Sequence, residues 1–227
     1  MSEKRVAKCE SCGKEFEYEV FMWQGKEILP PKRCDECCER EEQMETARKR
    51  TEMAHEAFFE VCPPLYRQTD IKRLPAALQR LCVTWQYGPE GVGIIGLPGK
   101  CKTRAGILIL KRMAEEGRTV GFVTATKFSE MTVDQFSTDE DFREDARNQL
   151  RDLRNVDVLL FDDLGKGKIT ERAEVELYSL LEERTSHMLP TIWTANSQLK
   201  SMFGNMSDER SGAILRRLTE FSAIHTV

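Results

Sequence analysis

Lys102 and Thr103 close the run Gly96-Leu97-Pro98-Gly99-Lys100-Cys101-Lys102-Thr103. The run follows the phosphate-cradling pattern G-x-x-x-x-G-K-[ST] except at one place, where Cys101 replaces the glycine before the lysine. In such a loop consecutive backbone N–H groups point inward at an anion, and the helix that follows adds its positive N-terminal end. Lys102 would reach the β- and γ-phosphates of ATP or ADP, and the Thr103 hydroxyl would be a ligand of Mg²⁺. We take Gly96 through Arg104 as the nucleotide-binding run, with Lys102 as a catalytic residue. The alternative is a glycine-rich turn between a strand and a helix. A glycine before the lysine lets the backbone pass close to phosphate without a Cβ. A cysteine there costs little at negative φ but on the order of 1–2 kcal/mol at positive φ. That strain would weaken nucleotide binding about tenfold rather than abolish it. A thiol beside a lysine at a helix start is also open to oxidation.

Two further segments supply groups that such a loop needs. Asp157-Val158-Leu159-Leu160-Phe161-Asp162-Asp163 is an apolar strand ending in two acids, about sixty residues after the loop. Burial of Val158 to Phe161 in a parallel sheet would place Asp162 at the strand's carboxyl edge, where ligands of these sheets bind. Asp162 would hold Mg²⁺ together with Thr103, and Asp163 would polarise the attacking water. Pro190-Thr191-Ile192-Trp193-Thr194-Ala195-Asn196 is a second β-rich run ending in a polar residue. Asn196 would sit between loop and acids and orient that water. The plainer reading of Asn196 is a turn residue after a strand.

The front of the chain carries different chemistry. Cys9-Glu10-Ser11-Cys12 and Cys34-Asp35-Glu36-Cys37 form two C-x₂-C knuckles separated by 21 residues, close to zinc-site spacing. Four thiolates would close a tetrahedral, structural Zn²⁺ site at Cys9, Cys12, Cys34 and Cys37. Cys38, next to Cys37, could exchange with it, whereas Cys62, Cys82 and Cys101 have no paired spacing. Phe16, Tyr18 and Val20 alternate with Glu15, Glu17 and Glu19, a strand signal, and Gln24-Gly25 resembles its turn. Residues 1–38 therefore read as a zinc ribbon, too small to fold without its metal. The glutamates between the knuckles favour a protein partner over DNA.

These groups need elements to position them. Five strands are expected, at Val92–Ile95, Thr119–Thr124, Val158–Phe161, Thr191–Thr194 and Ser222–Val227, with a helix over Thr103–Glu116. Residues 39–61 read as a helical linker whose seam is Met44, Ala47, Thr51, Ala54 and Phe58, ended by Pro63-Pro64. A helix from about Asp139 to Asn155 would carry Arg143, Arg147, Arg151 and Arg154 on one stripe. Phe142, Ala146, Leu150 and Leu153 would lie on the adjoining face. That stripe could contact DNA or be solvated beside Asp139, Asp145 and Asp152.

Residues 62–227 resemble the P-loop AAA+ ATPases of the DnaC, DnaI and IstB type, bacterial and phage helicase loaders and transposition helpers. The resemblance rests on Gly96 to Thr103, Phe161-Asp162-Asp163-Leu164-Gly165, Pro190-Thr191 with Thr194-Ala195-Asn196, and Ala213-Ile214-Leu215-Arg216-Arg217-Leu218. Pro63-Pro64-Leu65-Tyr66-Arg67 resembles the family's entry into the ATPase core. It implies an α/β fold, an AAA+/ASCE three-layer sandwich around a parallel sheet with the P-loop strand central. The few residues after the last apolar run leave little room for the C-terminal helical lid of larger relatives, so no large lid is expected. The resemblance implies an arginine finger reaching a neighbouring subunit, best matched by Arg217, with Arg216 and Arg210 as fallbacks. An ion-paired surface arginine is the alternative for each. It also implies a DnaB-type replicative helicase docked on the zinc ribbon, and single-stranded DNA on the Arg143 to Arg151 stripe.

The chain has 227 residues and a net charge of −4, so no global field draws it onto nucleic acid. No membrane-spanning run or signal peptide is expected, and the eight cysteines are expected to be reduced in a cytoplasmic protein. Three readings remain open: a slowly hydrolysing helicase-loader ATPase, an IstB-type transposition helper, and a non-hydrolysing zinc adaptor with a degenerate loop.

Overall fold

The structure, a computed structural model, describes residues 3–24, 26, 27, 29, 31–165, 170–196 and 208–227. The chain divides into two compact units, Met1–Arg50 and Thr51–Val227.

In the first unit β1 (Lys4–Lys8) pairs antiparallel with β2 (Glu15–Glu19), Lys8 opposite Glu15 and Lys4 opposite Glu19. The first knuckle is the turn between them. Cys9 N–H donates to Lys14 O at 2.9 Å, and Gly13 N–H donates back to Cys9 O at 2.9 Å. The alternation read in β2 holds, with Phe16 and Tyr18 half-buried and the three glutamates exposed. β3 (Met22–Trp23) and β4 (Lys26–Glu27) form a short hairpin around the expected turn. Gln24 has φ 48° there, and Gly25 lies outside the described residues.

The helix expected over 39–61 is α1 (Asp35–Val61) and starts four residues earlier, inside the second knuckle. Asp35 and Glu36 in its first turn suit the positive end of the helix, so Cys37 and Cys38 are already helical. Both their N–H groups bond to Cys34 O at 3.0 Å. The expected seam is buried only at its end. Ala54 and Phe58 are buried in the second unit, whereas Met44 and Ala47 are exposed.

The second unit continues with α2 (Ala76–Thr84), β5 (Gly91–Ile95), α3 (Lys102–Glu115), β6 (Val120–Thr124) and α4 (Ala125–Asp134). Then come α5 (Glu140–Asn155), β7 (Val158–Leu164), α6 (Glu171–Ser186), β8 (Thr191–Ala195), α7 (Asp208–Glu220) and β9 (Ser222–Thr226). All five expected strands pair in parallel, in the order β6-β7-β8-β5-β9. The P-loop strand β5 is interior, but the middle place belongs to β8, a shift from the central position expected for β5.

Both faces of the sheet are covered, which is why β5 and β7 read as continuous apolar runs. One apolar cluster joins Phe58, Leu78, Ile107, Leu110 and Met113 to Val92, Ile94 and Leu160. The other joins Phe128, Leu150, Leu177, Leu181 and Ile214 to Leu159, Phe161 and Trp193. The unit is thus a three-layer α/β sandwich. A fully buried arginine ties its second layer to the sheet. Arg184 on α6 donates to Leu153 O (3.0 Å), Val156 O (2.8 Å), Pro190 O (2.7 Å) and Thr191 Oγ1 (3.1 Å). Burial pulls its pKa down to about 10.

Asp139 caps α5, accepting from the N–H groups of Asp141 and Phe142. Of the expected apolar face, Ala146, Leu150 and Leu153 are buried, whereas Phe142, one turn nearer the helix start, is 66% exposed.

Candidate nucleotide site and zinc centre

The carboxyl ends of β5, β7 and β8 converge on one cleft of about 390 Å³, lined by Pro98 to Arg104, Asp163, Asn196 and Tyr66. α3 can lie close over β7 because its Gly106 has no side chain. A Cβ there would meet Leu160 Cδ1 at 2.7 Å. That close approach brings the start of α3 to the acids, and Thr103 Oγ1 donates to Asp162 at 2.8 and 3.1 Å.

The loop turns through two left-handed residues. Gly99 has φ 82°, which suits glycine, but Cys101 has φ 60° and ψ 20°. Cys101 therefore occupies the strained conformation, and the position is one that glycine fits without cost. Lys102 is buried, and its ammonium donates to Gly96 O (2.9 Å), Leu97 O (3.0 Å) and Asn196 Oδ1 (2.8 Å). Its pKa is lowered by burial, against the pull of Asp163 and Asp162.

Asn196 bridges, since its amide Nδ2 also donates to Asp163 Oδ1 at 3.1 Å. Asp162 is buried and accepts from Thr194 Oγ1 at 2.7 Å as well as from Thr103. Burial pushes its pKa up, opposed by the hydrogen bonds from Thr194 and Thr103. The structure thus brings Lys102, Thr103, Asp162, Asp163 and Asn196 together. A lysine, a hydroxyl and two carboxylates around a cleft opened by a helix N-terminus are the donor set for a nucleotide phosphate with a divalent cation.

The tail arginines lie elsewhere. Arg217 has a side chain only 10% exposed, ion-paired with Glu182, donating to Tyr178 Oη at 3.1 Å and stacked over the Tyr178 ring at 4.5 Å. It stitches α7 to α6, the ion-paired arrangement weighed as the alternative to a finger. Arg210 pairs with Glu171 (3.3 Å) and Glu174 (3.6 Å). Arg216 is 65% exposed beside Glu220 at 3.7 Å. The stripe on α5 also divides. Arg154 is ion-paired to Glu176 and Glu183 on α6, and Arg143 to Glu140, while Arg147 and Arg151 are exposed.

In the small unit the sulfur atoms of Cys9, Cys12, Cys34 and Cys37 lie within 4.8 Å of one another, with Cys12 and Cys34 at 3.8 Å. A tetrahedron with Zn–S bonds of about 2.3 Å has its sulfurs about 3.8 Å apart, so the four fit Zn²⁺. Cys38 is exposed and outside the cluster. A backbone hydrogen bond from Cys34 brings the Cys9 thiol down to about 6, while the Cys34 sulfur beside Cys37 pushes the Cys37 thiol up to about 12. Four such thiols ionise together only around a cation.

No protein-family model matches the chain, and no curated protein matches it in sequence. Solved structures match its fold. DnaI superposes with a TM-score of 0.60 at 15% identity, over 73% of this chain and 94% of DnaI. AMPPCP-bound DnaA from Aquifex aeolicus gives 0.56 at 15%, over 73% of this chain and 50% of DnaA. The core has the AAA+ fold. A DNA replication initiation factor gives 0.51 at 18% identity, over 69% of this chain and 43% of that one. The chain thus spans half the length or less of these last two proteins.

Two residues that shape this cleft escaped the sequence. Tyr66 lines the cleft, and the Arg104 guanidinium lies 5.4 Å from its ring centre while donating to Thr69 Oγ1 at 3.2 Å. Its signal was an aromatic residue just after Pro63-Pro64. Thr194 touches both acids, and its signal was a polar residue inside an apolar strand, two before Asn196.

No helix among the described residues is long and apolar enough to cross a membrane.

Proposed function

We propose that this chain is an ATP-binding AAA+ ATPase of DNA replication, slow in hydrolysis, that delivers a replicative helicase to single-stranded DNA. The observation that carries it is the meeting of Lys102, Thr103, Asp162, Asp163 and Asn196 at one cleft. Lys102 would exchange the loop carbonyls for β- and γ-phosphate oxygens, while the loop's N–H groups hold the anion. Thr103 and Asp162 would hold Mg²⁺, whose charge offsets that of the phosphates. Asp163 and Asn196 would orient the water. The strain at Cys101 and the short side chain of Asp163 suit a nucleotide switch better than a fast motor.

The replication role draws on the neighbours, DnaI and a DnaA solved with AMPPCP and single-stranded DNA at a TM-score of 0.56 and 14% identity. The zinc ribbon would hold a DnaB-type helicase, its exposed glutamates disfavouring DNA. Arg147 and Arg151 are the residues left exposed for single-stranded DNA. For self-association in trans, the exposed Arg216, paired among the described residues only with Glu220 on its own helix, is better placed than Arg217, whose side chain is only 10% exposed.

Titration with a fluorescent ATP analogue and Mg²⁺ tests the site. Lys102→Ala should weaken binding roughly thirtyfold or more, since it truncates a desolvated charge partner. Absence of binding by the wild-type chain would leave the zinc-adaptor reading. Affinity purification of the same full chain from its native host should recover a replicative helicase. Recovery of a transposase instead would point to the IstB-type helper.

A further inference from the structure

At the carboxyl end of β7 the ladder to β8 slips by one residue. Phe161 faces Trp193 and Leu164 faces Ala195, so Asp162 and Asp163 together stand against Thr194. In an unbroken strand successive side chains alternate between faces. Asp162 and Asp163 would then point to opposite sides of the sheet, and only one could serve the cleft. The extra residue forms a bulge, a device that re-aims side chains beside active sites. Asp163 takes up the change with φ 58°, in the left-handed region. Its carboxylate reaches the Asn196 amide at 3.1 Å, while that of Asp162 reaches the Thr103 hydroxyl at 2.8 Å.

The two acids are tied at one atom. Thr194 is fully buried, and its Oγ1 donates to Asp162 Oδ1 at 2.7 Å while accepting the backbone N–H of Asp163 at 2.9 Å. The hydroxyl thus spends its single proton on one acid and a lone pair on the other. We propose that Thr194 is a positioning residue, a clasp that holds the bulge so that both Asp162 and Asp163 face the cleft. The inference rests on the nucleotide reading of that cleft. A valine would fill the same volume and keep the strand's β-branched side chain. It would leave an Asp162 oxygen short of a donor and the Asp163 N–H without its acceptor. The ladder would then relax toward regular register and carry the Asp163 carboxylate away from Asn196. A serine would keep the clasp.

The test compares nucleotide affinity with and without Mg²⁺ for the full chain, using the fluorescent ATP analogue, alongside thermal unfolding. The wild-type chain should bind more tightly with Mg²⁺. Thr194→Val should lose about tenfold of that gain, the size expected for a hydrogen bond to a charged group. Its Mg²⁺-free affinity should fall by no more than about threefold, because Thr194 reaches Lys102 only through Asp163 and Asn196. Thr194→Ser should restore the gain. If Thr194→Val does not fold, Thr194→Ala takes its place with the same expectations. An unchanged Mg²⁺ gain in the variant that lacks the hydroxyl overturns the clasp and leaves the nucleotide reading intact. Equal loss with and without Mg²⁺ marks Thr194 as merely structural and also overturns it. A wild-type chain that binds no nucleotide overturns both.

Discussion

In the unit up to Arg50 the only buried side chains among the described residues are Cys9 and Cys34, whereas the unit from Thr51 buries one apolar cluster on each face of its sheet. The same chain therefore uses two sources of stability. Four sulfurs and a cation would hold about forty residues whose strands are otherwise charged and wet. Burial of Phe58, Leu110, Leu160, Trp193 and their neighbours holds the rest, and needs no ligand. The difference teaches where each unit is vulnerable: the first to chelation and oxidation, the second to gaps and unpaired groups in its interior.

The largest expected effect is metal removal. Structural Zn²⁺ in a small domain supplies on the order of 10 kcal/mol of folding free energy at neutral pH. A strong chelator, or Cys34→Ser, should abolish amide-exchange protection across β1 and β2 while β5, β7 and β8 keep theirs. Simultaneous loss in both units would break the comparison. Next comes Arg184→Met, which removes the buried guanidinium that donates to the carbonyls of Leu153, Val156 and Pro190. It should destabilise the second unit by about 3 kcal/mol, read by denaturant unfolding, without altering Zn²⁺ content. The smallest effect is local. Cys101→Gly should relieve about 1 kcal/mol of backbone strain and tighten nucleotide binding about fivefold, measured by titration, with the zinc unit unaffected. Weaker binding would mean that Cys101 contributes a contact that outweighs its strain.

Much of this was legible in the residues. Val92–Ile95, Val158–Phe161 and Thr191–Thr194 read as strands because a sheet covered on both faces demands continuous apolar runs. The knuckles read as a metal site because two cysteines at C-x₂-C spacing converge in a tight turn. Other features were hidden for physical reasons. No residue type announces φ 60° at Cys101 or 58° at Asp163, since left-handed backbone is encoded reliably only by glycine. The bulge at Asp162 and Asp163 depends on the register of β8, some thirty residues later. Arg154 and Arg217 looked available because their acidic partners, Glu176, Glu183 and Glu182, belong to another helix far away in the chain. The start of α1 was missed because a cysteine knuckle and a helix cap can share Cys34 to Cys37, and spacing shows only the first.

The bridge made by Asn196 has a consequence of its own. One side-chain amide gives its oxygen to Lys102 and its nitrogen to Asp163. A phosphate that drew Lys102 away would take a partner from Asn196 and free the amide to turn, loosening its hold on Asp163. Occupancy of the loop and arming of the acid would then be a single conditional step. On the proposed nucleotide reading, such a site would work as an interlock, unable to cut what it has not first gripped.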